Sequence, residues 1–262
     1  MYDIMPKIYC NIFILAISHC KYIDILIIFK EVYVMNSKMK IRQYINITNS
    51  CNADCEFCCM WSSSKNSTFM SMEKFEKIID EKDNPFELQI EGGEPLLHKE
   101  MYSFLQYAVN TGRCLKVIIL TNGFLLDEHF DRLVKFGKEN NIPVVIKISV
   151  NYWLYAIDNE IVKKCRRFYD LSKDNSQFSI ILNVRLRHGD DWIVQLIEEA
   201  GVKEISNIFY LQSYGRYENE TEYSKPVIVQ NIDDWFVYAC DGTCFGKDLI
   251  ARSDYEKRRI SE

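Results

Sequence analysis

Three cysteines, Cys51, Cys55 and Cys58, fall within eight residues at Cys-x3-Cys-x2-Cys spacing. Thiolates are the usual protein ligands of iron–sulfur clusters, and a [4Fe–4S] cube takes four. A tight loop that offers three leaves one iron without a protein ligand. Metal sites keep such an open position when they must bind a substrate. The loop therefore points to a cluster that does chemistry rather than one that only relays electrons. Further polar landmarks follow at the ends of apolar runs: Gly92-Gly93-Glu94-Pro95, Thr121-Asn122-Gly123, Ser149 with Asn151, and Asn183 with Arg185.

The elements that must position these residues alternate. Ile41, Tyr44, Ile45 and Ile47 make a short strand that runs into the cysteine loop. Strands are expected at 86–90, 115–120, 144–150, 178–184 and 205–211. Between them lie helices: one that Ser71 can cap, carrying Met72, Phe75, Ile78 and Ile79, and others at 98–110, 127–138, 157–171 and 190–200. In the last of these Trp192, Ile193, Leu196 and Ile197 are expected to face inward. Strand starts recur at roughly thirty residues, the length of a βα unit. Nearly all-apolar strands indicate a parallel sheet covered by helices. Six units are too few to close an eight-stranded barrel, so an open, partial (β/α)6 barrel fits. In such folds sites lie beyond the C-terminal ends of the strands, where every landmark named above falls.

Cys51, Cys55 and Cys58, with Phe57 just before the last cysteine, resemble the signature of the radical S-adenosylmethionine (radical SAM) enzymes. The Gly-Gly-Glu-Pro and Thr-Asn-Gly segments follow in that family's order, and the resemblance covers 39–211. It implies an α/β partial barrel, a [4Fe–4S] cluster on the three cysteines, and S-adenosylmethionine chelating the open iron. It also implies a reducing electron donor of flavodoxin or ferredoxin type. Reductive cleavage of the sulfonium would give a 5′-deoxyadenosyl radical that takes a hydrogen atom from a substrate.

Donor and acceptor chemistry assigns expected contacts to the cofactor. Gly92 and Gly93 let backbone approach closely, and their carbonyls, with Glu94, suit an ammonium. Ser149 and Asn151 can bond ribose hydroxyls, and Asn183 is a similar candidate. Arg185 can pair with the carboxylate, with Arg187 as its competitor on the same face. Thr121 and Asn122 either contact the cofactor or cap a turn, and Phe57 packs beside cluster and adenine. No general acid or base can be named.

Composition bounds the rest. The 262 residues are 48% hydrophobic and 26% charged, enough for a packed core. A net charge of −5 without a basic block argues against general nucleic-acid binding. Ten cysteines, clustered at 51–59 and otherwise scattered, do not form a secreted disulfide framework. A reducing cytoplasm is the expected compartment. The charge-free run at 8–20 is too short to span a bilayer.

Three segments are expected: an N-terminal extension of uncertain status at 1–38, the barrel at 39–212, and a C-terminal extension at 213–262. In the tail, Tyr214-Gly215-Arg216 resembles a turn of some radical SAM enzymes. Cys240 and Cys244 offer a redox pair, half a metal site or two packed thiols, and Cys59 is expected to be a small packed thiol. The substrate is a small molecule, a peptide or a partner protein, with peptide or metabolite modification placed ahead of activation of a glycyl-radical partner. The alternative of another class is a zinc-binding structural or interaction module, with Cys59 or Cys240 completing an all-thiolate site.

Overall fold

The computed structural model describes residues 39–217 and 232–261. The sequence-based reading of 1–34 falls outside them. Residues Lys40–Glu262 belong to one compact unit.

Among the described residues seven strands form a single sheet: β1 (Ile41–Thr48), β2 (Phe86–Gly92), β3 (Cys114–Thr121), β4 (Val144–Val150), β5 (Phe178–Leu186), β6 (Ser206–Tyr210) and β7 (Asp234–Tyr238). Their order is β6-β5-β4-β3-β2-β1-β7, and every pairing is parallel. The expected α/β partial barrel is present, with one strand more than the six expected. That seventh strand, five residues from the tail, pairs Ile41 to Asp234 and Ile45 to Tyr238. Its two acidic and aromatic residues at the start, Asp234-Trp235, hide it from a search for apolar runs.

The helices are α1 (Met72–Asp80), α2 (Met101–Asn110), α3 (Leu126–Glu139), α4 (Tyr152–Ile157), α5 (Ile161–Ser172), α6 (Asp191–Glu199) and α7 (Leu249–Ser261). Ser71 caps α1 by accepting from the Lys74 N–H at 3.4 Å. Phe75, Ile78 and Ile79 of α1 and Met101, Phe104, Leu105 and Ala108 of α2 are buried. The Phe75 and Phe104 rings stack at 4.5 Å, and each fully buried aromatic side chain is worth roughly 1.5–3 kcal/mol in transfer from water. In α6 only Ile193 and Ile197 are buried. Trp192, expected inward, is 38% exposed and packs edge-on against Tyr155. Its Cβ lies on the flank of the helix, where an aromatic of the neighbouring α4 covers one side only.

The two faces of the sheet differ. Ile41, Ile45, Ile47, Phe86, Leu88, Ile90, Val117, Ile119, Val144, Ile146, Ile148 and the matching residues of β5 join the helices in one core. The alternate residues face the concave side and are largely polar: Arg42, Tyr44 and Asn46 on β1, Glu87, Gln89 and Glu91 on β2, Lys116 on β3, Lys147 and Ser149 on β4, Asn183 and Arg185 on β5. Strand alternation turns a run that reads as continuous apolar sequence into an oil-facing side and a charged interior.

Candidate active site

The cysteine loop leaves β1 at Thr48 and is tied back upon itself. The Cys51 N–H donates to Ser63 O at 3.0 Å, and Ser63 N–H returns to Asn49 O at 3.2 Å. Asp54 adopts φ +46°. Its carboxylate accepts from the Ser64 N–H at 2.6 Å and the Ser64 hydroxyl at 2.7 Å.

Strand end β2 is laid directly on this loop. Gly93 N–H donates to Thr48 O at 2.6 Å, and Glu94 N–H to Ser50 O at 2.9 Å. A Cβ on Gly92 would stand 2.2 Å from Asn46 Oδ1, and one on Gly93 would stand 2.2 Å from Ser50 O. Glycine at both positions is what lets the two backbones meet.

Glu94 is fully buried and turned towards β3. It accepts from Thr121 Oγ1 at 2.8 Å, the Asn122 N–H at 2.8 Å and the Leu96 N–H at 3.1 Å. Burial pushes its carboxyl up to about 7, and these three donors pull it back part of the way. Asn122 continues the chain of contacts: its Nδ2 donates to Asn52 Oδ1 at 2.7 Å and lies 3.8 Å from Cys51 Sγ. Thr121 and Asn122 also hold their own turn, through Gly123 N–H and Phe124 N–H at 3.0 Å each. Both of the roles expected for this pair, capping and contact with the site, are therefore open to it.

The remaining expected residues ring the same mouth. Ser149 and Asn183 stand opposite each other in register on the concave face, half-buried. Asn151 is buried and caps α4, its Oδ1 accepting from the Leu154 N–H at 2.9 Å. Arg185 lies 3.2 Å over the Phe209 ring, and its Nη1 is buried without a partner. Arg187, its competitor, faces elsewhere: it lies 3.1 Å over Tyr152 and pairs with Asp190 at 3.3 Å. Phe57 packs against Tyr152 with centroids 5.4 Å apart.

Two features of the tail complete the site, and sequence reasoning missed their role. Gly215, at φ +74°, sits where a Cβ would be 2.5 Å from Cys59 Cα. Arg216 donates to Cys55 O at 2.9 Å and Trp61 O at 3.0 Å, and its N–H to Cys58 O at 3.2 Å. The turn after β6 thus clamps the cysteine loop from the side opposite β2. From α7, Glu256 is fully buried and accepts from Asn46 Nδ2 at 2.7 Å, Asn49 Nδ2 at 3.0 Å, Cys240 N–H at 2.8 Å and Arg259 Nε at 3.0 Å. Arg252 pairs with Glu91 at 2.7 Å, and the Trp61 indole donates to Ser253 at 3.3 Å. Gly215 was the one visible signal for the clamp; Glu256 looks in the sequence like any charged helical residue.

The donor set fits a cluster. Cys51, Cys55 and Cys58 are all free thiols. Burial pushes Cys51 up to about 12 and raises Cys55 as well. Among the described residues no three His, Cys, Asp or Glu side chains are grouped as the ligands of a single ion would be. Cys240 is buried beneath Thr68 O, while Cys244 is exposed, and the two are not bonded to each other. Cys59 is packed under Gly215 as expected of a small thiol.

A loop of cysteines at the open end of a parallel half-barrel, closed over by glycine-rich strand ends, defines a class. Residues 45–210 match the family model described as Radical SAM superfamily. The chain belongs to that superfamily, whose enzymes use a [4Fe–4S] cluster and S-adenosylmethionine and require a reductant and a substrate. Among its relatives are a probable GTP 3′,8-cyclase of Methanocaldococcus jannaschii, 29% identical over 49% of this chain and 41% of that protein, and a GTP 3′,8-cyclase of Synechocystis sp., 25% identical over 68% and 52%. The chain thus spans about half the length of these relatives. Among solved structures, native anSMEcpe with bound AdoMet aligns at TM-score 0.53 and 17% identity, covering 70% of this chain and 54% of that one. SuiB of Streptococcus suis bound to S-adenosylmethionine aligns at TM-score 0.51 and 15% identity, covering 74% and 46%. These two share the fold. Among the described residues no helix is long and apolar enough to cross a membrane.

Proposed function

We propose that this chain cleaves S-adenosylmethionine reductively at a [4Fe–4S] cluster held by Cys51, Cys55 and Cys58, and takes a hydrogen atom from a metabolite or peptide. When bound, the cluster and S-adenosylmethionine supply the electron and the 5′-deoxyadenosyl radical. The protein's part is to hold, orient and shield.

The observation that carries this reading is convergence. The β2 end, the β3 loop, the turn after β6 and α7 all make hydrogen bonds to one eight-residue loop or its stem. Gly92 and Gly93 seat the β2 end on the stem of the cysteine loop and offer their carbonyls to the amino group. Ser149 and Asn183 offer a hydroxyl and an amide to the ribose, with Asn151 giving its Nδ2, since its Oδ1 is spent on the helix. Arg185 holds the carboxylate with its unpartnered Nη1. Phe57 and Tyr152 wall the adenine side. Glu94 acts through the Thr121–Asn122 turn, which its carboxylate fixes against the cysteine loop.

The relatives named GTP 3′,8-cyclase make a nucleotide one substrate to try beside peptides. Eight free cysteines among the described residues suit a reducing cytoplasm with a flavodoxin or ferredoxin donor.

The test is anaerobic reconstitution with iron and sulfide, addition of dithionite and S-adenosylmethionine, and assay of 5′-deoxyadenosine. Release by the wild type, absent in Cys55→Ala, is the expected result. A reconstituted, brown wild type that releases none would refute the proposal.

A further inference from the structure

The concave face of the barrel carries cations that its own carboxylates do not neutralise. At the floor, Arg42 Nε and Lys116 Nζ share Glu87, at 2.8 and 2.9 Å. Nearer the mouth, Arg252 takes Glu91 at 2.7 Å, and Gln89 donates to the same carboxylate at 2.7 Å. Both acids are thereby engaged. Lys147 and Arg185 face the same interior from β4 and β5, and among the described residues neither has a carboxylate at ion-pair distance. Lys147 Nζ finds only the neutral Gln89 Oε1, at 3.0 Å. Arg185 Nη1 and Arg252 Nε are buried with no acceptor, the latter in a side chain on a residue 4% exposed.

Strand register places Lys147 midway between Arg42 at the floor and Arg185 at the mouth. Burial, with the opposing charges of Arg42 and Arg185, outweighs the attraction of Glu91 and Glu87 and pushes the Lys147 ammonium down to about 8. A buried cation without a counter-charge is costly. Natural interiors keep such groups where a ligand completes them, and Lys147 and Arg185 are both still reached by solvent. Two half-buried cations on neighbouring strands of one face, Lys147 and Arg185, neither with a carboxylate at ion-pair distance, define an oxyanion seat.

We infer that the substrate carries an oxyanion group, carboxylate or phosphate, that docks on Lys147 inside the barrel, on the side facing Arg185. The inference rests on the proposed function for the identity of the open mouth above it, and it assigns the chemical class of the substrate, an acid rather than a neutral or cationic molecule. Arg185, at the mouth, is within the reach of the S-adenosylmethionine carboxylate. Lys147, four residues deeper by register, separates the two sources of an anion.

Inorganic phosphate is the probe. Anaerobically reconstituted wild type is titrated calorimetrically with phosphate, with and without saturating S-adenosylmethionine. Saturable binding that survives S-adenosylmethionine is expected. Lys147→Met should weaken it by about tenfold or more, the value of one charge-assisted bond, and Lys147→Arg should retain it. Absence of saturable binding, loss of binding when S-adenosylmethionine is added, or unchanged binding in Lys147→Met would each overturn the inference. If Lys147→Met does not fold, the wild-type competition and Lys147→Arg still decide. The 5′-deoxyadenosine assay on the same wild-type preparation keeps the two claims apart: radical chemistry without phosphate binding sinks this inference alone.

Discussion

Replacing Glu256 by alanine is the sharpest perturbation of the architecture around the cysteine loop. The residue lies in the last helix, some two hundred positions from the loop it supports, with |i−j| of 210 to Asn46 and 207 to Asn49. Its carboxylate is fully buried and accepts from four separate groups: two side-chain amides at the end of β1, the backbone N–H of Cys240 and the Arg259 guanidinium. Deleting it strands a half-buried cation and three buried donors at once. Each buried donor left without its acceptor costs about 1–3 kcal/mol, so the loss is a large share of the roughly 5–15 kcal/mol that holds a domain together. Glu256→Gln keeps the shape and one acceptor oxygen, so about half that loss is expected. The assay is anaerobic urea unfolding of the apoprotein, compared at unchanged slope. Iron content after reconstitution should fall in parallel, because Asn49 sits two residues before Cys51. A loss below about 1 kcal/mol in Glu256→Ala, with normal iron, would refute the view that α7 fixes the loop, since surface substitutions cost about that much or less.

Three further outcomes follow from the same geometry. Gly215→Ala should lower iron incorporation and stability together, by about 1–3 kcal/mol, because its Cβ meets backbone at Cys59; Gly112→Ala, at φ +68° with open space around it, is the control for φ strain alone. Arg216→Met should cost about 1–3 kcal/mol and loosen the cluster's environment, seen as a changed electron paramagnetic resonance signal of the reduced protein, since the Cys55 and Trp61 carbonyls lose their donor. For Glu94, the folded-state pKa of about 7 lies above the ordinary 4.5. Its contribution to stability is therefore complete below about pH 4.5 and is lost as pH rises through about 7, at most about 3 kcal/mol. Apoprotein unfolding followed from pH 5 to pH 7.5 should show that slope, and Glu94→Gln should flatten it; equal slopes in the two proteins would rule the assignment out.

Much of the scaffold was visible in the sequence for a physical reason. The helices α1, α2 and α3 show apolar residues at helical spacing because each has one wet face and one dry face. Their caps and stops, Ser71 and Gly112, are local chemistry. The six strands from β1 to β6 stand out because a parallel sheet buries at least its helix-facing side. β7 does not, since Asp234, Trp235 and Phe236 remain half-exposed at the sheet edge. Trp192 was misplaced because helical periodicity fixes a face without revealing whether a neighbour covers it.

The site divides along the same line. Gly92, Gly93 and the three cysteines could be found because each needs a residue type that little else can replace: no Cβ where backbones touch, sulfur where iron binds. Arg216 and Glu256 are polar residues whose meaning comes from partners that are remote in sequence, 161 positions for Arg216 and Cys55 and 210 for Glu256 and Asn46. No local pattern encodes such pairs. The concave face makes the point most strongly. Lys147 lies between Ile146 and Ile148 in a strand that looks almost wholly apolar, and alternation sends it to the concave face. There it bonds to Gln89, while the nearby Glu87 and Glu91 are already paired with Arg42 and Arg252. An interior built only for stability would have placed a leucine at that position or a carboxylate opposite it, as Glu87 stands opposite Arg42. A half-buried ammonium without a carboxylate at ion-pair distance is a group that an anionic ligand would complete.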